Sequence, residues 1–163
     1  KRDGVAYIGS ERGSDSAGFI QENKHYSELK IESSNQYTWV RHLYNIVVNN
    51  NHPKETKFAT IVHELGHLYC GHLGTFDKKM WESRQGLETN VKEFEAESVC
   101  WLVCERLNIK NPSAEYLSGY LDHNYEIPNI SIDTVLKAVR IIESLIDGSR
   151  KISKEIITRI EQK

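Results

Sequence analysis

The sequence predicts a single α+β domain, with a strand-rich part over about residues 1–50 and a mostly helical part over about 52–163. Three observations carry this expectation. Short runs of β-branched and aromatic residues, Val5–Ile8, Leu29–Ile31 and Asn45–Asn49, all fall before residue 50. Beyond that point apolar residues recur at helical spacing over five segments. The 163 residues, 39% hydrophobic and 27% charged, suffice for one core and fall short of two sizeable ones.

In chain order, Val5-Ala6-Tyr7-Ile8 and Leu29-Lys30-Ile31 read as strands, and Gly9 to Gly18 reads as a Gly- and Ser-rich loop. Trp39 to Leu43 is ambiguous, and Asn45-Ile46-Val47-Val48-Asn49 is a strand. Asn51-His52-Pro53 then marks a helix start, with Pro53 at the first position, where a missing N–H costs nothing. Phe58, Ile61, Val62, Leu65 and Leu68 form its apolar stripe, opposite Thr56, Thr60, His63 and His67. Gly71 to Gly86 is loop-like, and a helix spans about 89–107. Pro112-Ser113 starts a short helix carrying Tyr116, Leu117, Tyr120 and Leu121. Ser131 caps an amphipathic helix through Val135, Val139, Ile142 and Leu145, ended by Gly148. Ile152, Ile156 and Ile160 mark a last helix.

Chemistry concentrates in His63-Glu64-Leu65-Gly66-His67. Helix residues i and i+4 share a face, so both imidazoles can meet one metal ion, and Glu64 can reach a water on it without being a ligand. A catalytic zinc site needs a third protein ligand and an open position. On the helix over 89–107, Glu93, Glu97, Cys100 and Cys104 share one stripe that is otherwise apolar, and buried carboxylates must be paired or metal-bound. Glu93 is the expected third ligand, and Glu97 the acceptor that fixes a ligand imidazole. Glu95 is expected to point away, solvated beside Arg106. Cys100 and Cys104 are expected to be small buried hydrophobes, a metal pair being the alternative. His72 is a candidate proton donor, substrate contact or loop-fixing partner, and Arg84 could bind a carboxylate in the site. Tyr116, Tyr120, His123 and Tyr125 are candidates for stabilising a developing oxyanion.

The strings His63 to His72 and Glu93-Phe94-Glu95-Ala96-Glu97 resemble the ImmA/IrrE family of gluzincin metallopeptidases, and are similar to the metallopeptidase domain of ArdC-type antirestriction proteins. The resemblance covers roughly residues 40 to 110. Many family members have Asn or Asp where Glu97 stands, and Ser98-Val99-Cys100 departs from their usual continuation. The family pattern therefore leaves Glu93, Glu95 and Glu97 open as the carboxylate ligand. What the resemblance implies is a zincin-like fold with a small sheet over the active-site helix, a Zn²⁺ cofactor, and cleavage of a regulatory protein such as a transcriptional repressor. The expected mechanism has Glu64 take a proton from a zinc-activated water and pass it to the leaving amine.

Bulk properties narrow the classes. A net charge of −2 and a pI of about 6.4 give no global basic footprint for nucleic acid. A zinc-containing nucleic-acid-binding or antirestriction module without turnover is the alternative reading, with a structural or sensory zinc as a third. No run is apolar enough for a membrane span, and no signal-peptide pattern opens the chain. Three cysteines, an odd count, suit a reducing cytoplasm. Lys1-Arg2 is not an ordinary start, which points to a fragment of a longer chain with room for an upstream domain.

Overall fold

The computed structural model describes residues 1–11, 13, 17–122 and 126–163, of which 116 and 120–122 in backbone only. The fold is α+β. Strands β1 (Val5–Ser10), β2 (Gly18–Glu22), β3 (Glu28–Glu32), β4 (Gln36–Arg41) and β5 (Tyr44–Asn49) precede helices α1 (Lys54–Tyr69), α2 (Thr89–Arg106), α3 (Ser113–Asp122) and α4 (Ile132–Ile146), and β6 (Ile157–Gln162) follows.

The strands form two sheets. In the first, β5 is central, parallel to β1 and antiparallel to β2, which leaves β2 as an edge. Strand β5 is central because Ile46, Val47 and Val48 are all buried, whereas β1 exposes Tyr7 and Ile8. The second sheet has β4 between β3 and β6, all antiparallel. Here the sequence expectation is corrected: Ile152, Ile156 and Ile160 do not mark a helix. Ile156 is buried in a short 3-10 turn, and five of the next six residues pair with β4 from Gln36 to Val40, with a bulge at Thr158. The spacing of four mimics a helix stripe, but the open side of β4 offers six residues a ladder that an isolated helical turn cannot match.

One core joins α1, α2 and α4 beneath the first sheet. Val62, Leu68, Val99, Val103, Val139 and Ile142 are fully or almost fully buried in it. Cys100 and Cys104 lie in this core, with the Cys100 thiol donating to the Ala59 carbonyl at 3.3 Å, as small hydrophobes do. The α4 stripe is the one the sequence predicts, and its Ser131 hydroxyl caps the helix by accepting from the Thr134 N–H.

Asp3 fastens the front of the chain to its far end. It is 1% exposed and accepts from Tyr69 Oη, from the Arg150 guanidinium and from Ser153. A buried carboxylate with this many donors meets the condition under which burial of a charge is tolerable.

Candidate metal centre

Helix α1 presents His63 and His67 one turn apart. Their rings meet edge to face with centroids 4.9 Å apart, and their Nε2 atoms are 3.2 Å apart. Glu93, in the second turn of α2, closes the triangle: one carboxylate oxygen is 3.5 Å from His63 Nε2 and the other 3.5 Å from His67 Nε2. Gly66 allows the two helices to come this close. A Cβ built there would stand 3.1 Å from both the Cα and the carbonyl oxygen of Ala96 and 3.3 Å from Val99 Cβ. Gly66→Ala gains about 1 kcal/mol of helix propensity and loses about 1–3 kcal/mol to overpacking. The expected result is a net stability loss of up to about 2 kcal/mol and weaker metal binding, because Glu93 is pushed off the histidines; a chelator competition beside a melting curve reads both.

The other ring nitrogens are also accounted for. His63 Nδ1 is 2.8 Å from a Glu97 oxygen. His67 Nδ1 is 3.0 Å from His72 Nδ1, and His72 Nε2 is 2.9 Å from Glu95. Arg84 grips the same Glu95 carboxylate with two bonds, at 2.6 and 2.7 Å, and the Ser131 N–H at the start of α4 donates to it at 2.8 Å. Glu95 is therefore not a solvated charge beside Arg106: it is 0% exposed, and Arg106 pairs with Glu143 instead. Periodicity does turn Glu95 off the metal stripe, but the side it faces is filled by the loop over 71–86 and the start of α4. Of the three roles the sequence leaves open to His72, the structure shows the hydrogen-bonded loop partner. It is buried behind His67 with both nitrogens bonded to protein groups.

Electrostatics follow this layout. Burial opposes charge on His63, but Glu93 and Glu97 outweigh it and hold the metal-free imidazole well above its usual range. His63 and His67 in turn hold Glu93 far below the usual carboxylate range. For Glu97 burial is again outweighed, chiefly by His63, and its carboxyl is lowered. Burial drives His72 down, toward the neutral form. Glu64 goes up, because it is desolvated.

Glu64 faces the edge strand. One of its oxygens accepts the Ile20 N–H at 3.0 Å, so β2, absent from the sequence reading, reaches the site through its backbone. Beside Glu64 and His63 lies a cleft of about 300 Å³, walled by Ala59, Thr60, Glu97 and Ser113. Of the oxyanion candidates, Tyr116 and Tyr120 sit on α3, whose backbone alone is described there, and His123 and Tyr125 lie outside the described residues.

A divalent metal suits this cluster. Tetrahedral ligation with bonds of about 2.0–2.2 Å spaces donor atoms roughly 3.3–3.6 Å apart; the two imidazole nitrogens are 3.2 Å apart, each is 3.5 Å from a different Glu93 oxygen, and one donor atom from each residue lies within 4.8 Å of the others. Two nitrogens and one carboxylate are a donor set that zinc accepts while leaving a fourth position. Among the described residues, Cys70, His72 and Glu95 also converge. There the Arg84 guanidinium already occupies the carboxylate and both His72 nitrogens are engaged, so hydrogen bonding accounts for that cluster without a cation.

Residues 24–99 match the family model Peptidase_M78, the IrrE N-terminal-like domain. The matched segment holds β3, β4, β5, α1 and the first half of α2, and with them His63, Glu64, His67, Glu93 and Glu97. No curated protein and no solved structure matches the chain.

Proposed function

We propose, from the IrrE N-terminal-like metallopeptidase domain that residues 24–99 carry, that this protein is a zinc endopeptidase acting on a regulatory protein, with a transcriptional repressor as the first candidate substrate. The observation that carries the reading is the convergence of His63 Nε2, His67 Nε2 and Glu93 while the opposite ring nitrogens are held by other groups. Zinc bound by these three residues would supply Lewis acidity, toward water and toward the scissile carbonyl.

The chain's own residues supply the rest. Glu64 is the proton carrier. Its desolvation makes it a better acceptor than an ordinary carboxylate, and the Ile20 N–H ties down one oxygen. An extended substrate would lie along β2, the edge strand at the site, where backbone hydrogen bonds give affinity whatever the sequence. Side chains beside the scissile bond would enter the cleft between α1 and Ser113. Among the described residues no helix is long and apolar enough to cross a membrane.

Metal content tests the site. The wild type is expected to bind one zinc. Glu93→Ala should lose it outright, and Glu97→Ala should weaken it about 10- to 100-fold through loss of the His63 anchor. Zinc retained at full affinity by Glu93→Ala would remove the site as drawn, and zinc taken up by neither wild type nor variant would remove the peptidase reading.

A further inference from the structure

Helix α1 ends in a way that turns the chain back on the metal site. The Gly71 N–H bonds the Leu68 carbonyl at 3.0 Å, and the His72 N–H bonds the His67 carbonyl at 3.0 Å. This is the paired pattern of a Schellman cap, which needs a left-handed residue after the helix. Gly71 supplies it, with φ +78°; a Cβ there would also stand 2.0 Å from the Glu82 carbonyl oxygen. In such a cap the residue two beyond the helix packs against the one that opens its last turn. Here those two are His72 and His67, and a ring-to-ring hydrogen bond replaces the usual apolar contact.

Proton accounting along this contact has one solution when His72 is neutral. Glu95 takes bonds from Arg84 and from Ser131 N–H, and as a carboxylate it only accepts. His72 Nε2 must then carry the proton that bonds it. Neutral His72 is left with a bare Nδ1, which can only accept, so His67 Nδ1 must be the donor. His67 Nε2 is thereby left with a lone pair, and this is the atom that faces His63 and Glu93. Reversing any bond in the chain would put a proton on that atom.

We propose that His72, Glu95 and Arg84 form a buried positioning chain that holds His67 as its Nδ1–H tautomer and fixes its ring plane, doing for His67 through two intermediaries what Glu97 does for His63 directly. The proposal rests on the reading of His63, His67 and Glu93 as metal ligands. Neither His72 nor Arg84 touches substrate in it. Arg84 takes its place in the chain by a second anchor, since its guanidinium also donates to the Cys70 carbonyl at the end of α1. Arg84, the helix end and Glu95 are thus locked as one unit.

Long-range proton–nitrogen spectra of the zinc-loaded wild type read the tautomers directly. The expected pattern is a protonated Nδ1 on His67, and on His72 a protonated Nε2 with a bare Nδ1. A proton on His72 Nδ1 would overturn the proposal. Zinc affinity by chelator competition supplies the second arm. His72→Leu should bind zinc about 10- to 100-fold more weakly, while His72→Gln, whose amide can accept from His67 and donate to Glu95, should stay within a few-fold of wild type. A His72→Leu protein that folds and binds zinc as tightly as wild type would sink the positioning chain and leave the metal site standing. A wild type that takes no zinc would sink both. If His72→Leu does not fold, the tautomer pattern in the wild type still decides.

Discussion

Glu64→Gln is expected to reduce peptide-bond cleavage by about 10²–10⁴-fold while zinc content stays at the wild-type level. The substitution keeps shape and removes only the ability to take a proton. In the structure Glu64 is not one of the three groups around the metal position, and its nearest backbone partner is the Ile20 N–H, which an amide oxygen can still accept. Metal affinity and fold should therefore survive. Comparing the proteins cleaved in cells carrying wild type with those carrying Glu64→Gln would also reveal the substrate. Equal biological activity of the two would show that turnover is not what the site is for, and would favour a binding module that only retains zinc.

The largest stability effect is expected from Glu95→Ala, about 3–5 kcal/mol, the usual result of leaving one member of a buried ion pair without its partner. Arg84 would lose two bonds, and His72 and the Ser131 N–H would lose their acceptor. Against a total domain stability of about 5–15 kcal/mol, that brings the variant to the edge of folding. Breaking the exposed pair of Arg106 with Glu143 should cost less than about 1 kcal/mol, which makes Arg106→Ala the natural control. The pH dependence has a definite sign. Burial raises the Glu95 carboxyl, but His72, Arg84 and the Ser131 N–H outweigh it and bring it down to about 2. Because the folded pKa lies below the usual value of 4.5, this contribution is complete above about pH 4.5 and is lost as pH falls toward 2. Urea unfolding at pH 7 and at pH 3 should show the gap between wild type and Glu95→Ala narrowing at the lower pH. A constant gap would mean that charge plays no part in it.

What could be read from the sequence, and what could not, follows from where each signal resides. Helices α1, α2 and α4 were legible because their core stripes repeat over four or more turns, and the α1 and α2 stripes placed His63, His67, Glu93 and Glu97 toward one point without any tertiary information. Strand β5 was legible from its continuous buried run. Strand β2 was not: Gly18-Phe19-Ile20-Gln21-Glu22 is a short edge segment whose importance is one backbone N–H aimed at Glu64, and backbone groups leave no trace in residue identity. Strand β6 was misread because Ile156 and Ile160 fall four apart by accident of a turn leading into a strand. Glu95 was misread for a different reason. Periodicity states which side of a helix a residue occupies, not whether another segment covers that side. Its cover comes from Arg84, in a loop that has no period to read. For His72 a cue was present in Gly71, since a glycine just past a helix end signals a cap that folds the next residue back.

The clasp at Asp3 has a consequence for how this molecule comes into being. Asp3 is joined to Arg150 and Ser153, and β4 waits for its partner until residues 157–162 exist. During synthesis at roughly 5–20 residues per second, both histidines and Glu93 leave the ribosome several seconds before the segments that close the structure around them. Through that interval β4 has an unpaired side, and of its partners Asp3 has only Tyr69. Contacts this distant in sequence make for slow folding. A nascent chain would therefore carry the side chains of the candidate metal centre before it has the architecture to aim them, and arrest of synthesis near residue 145 should yield a species that aggregates rather than a smaller folded domain.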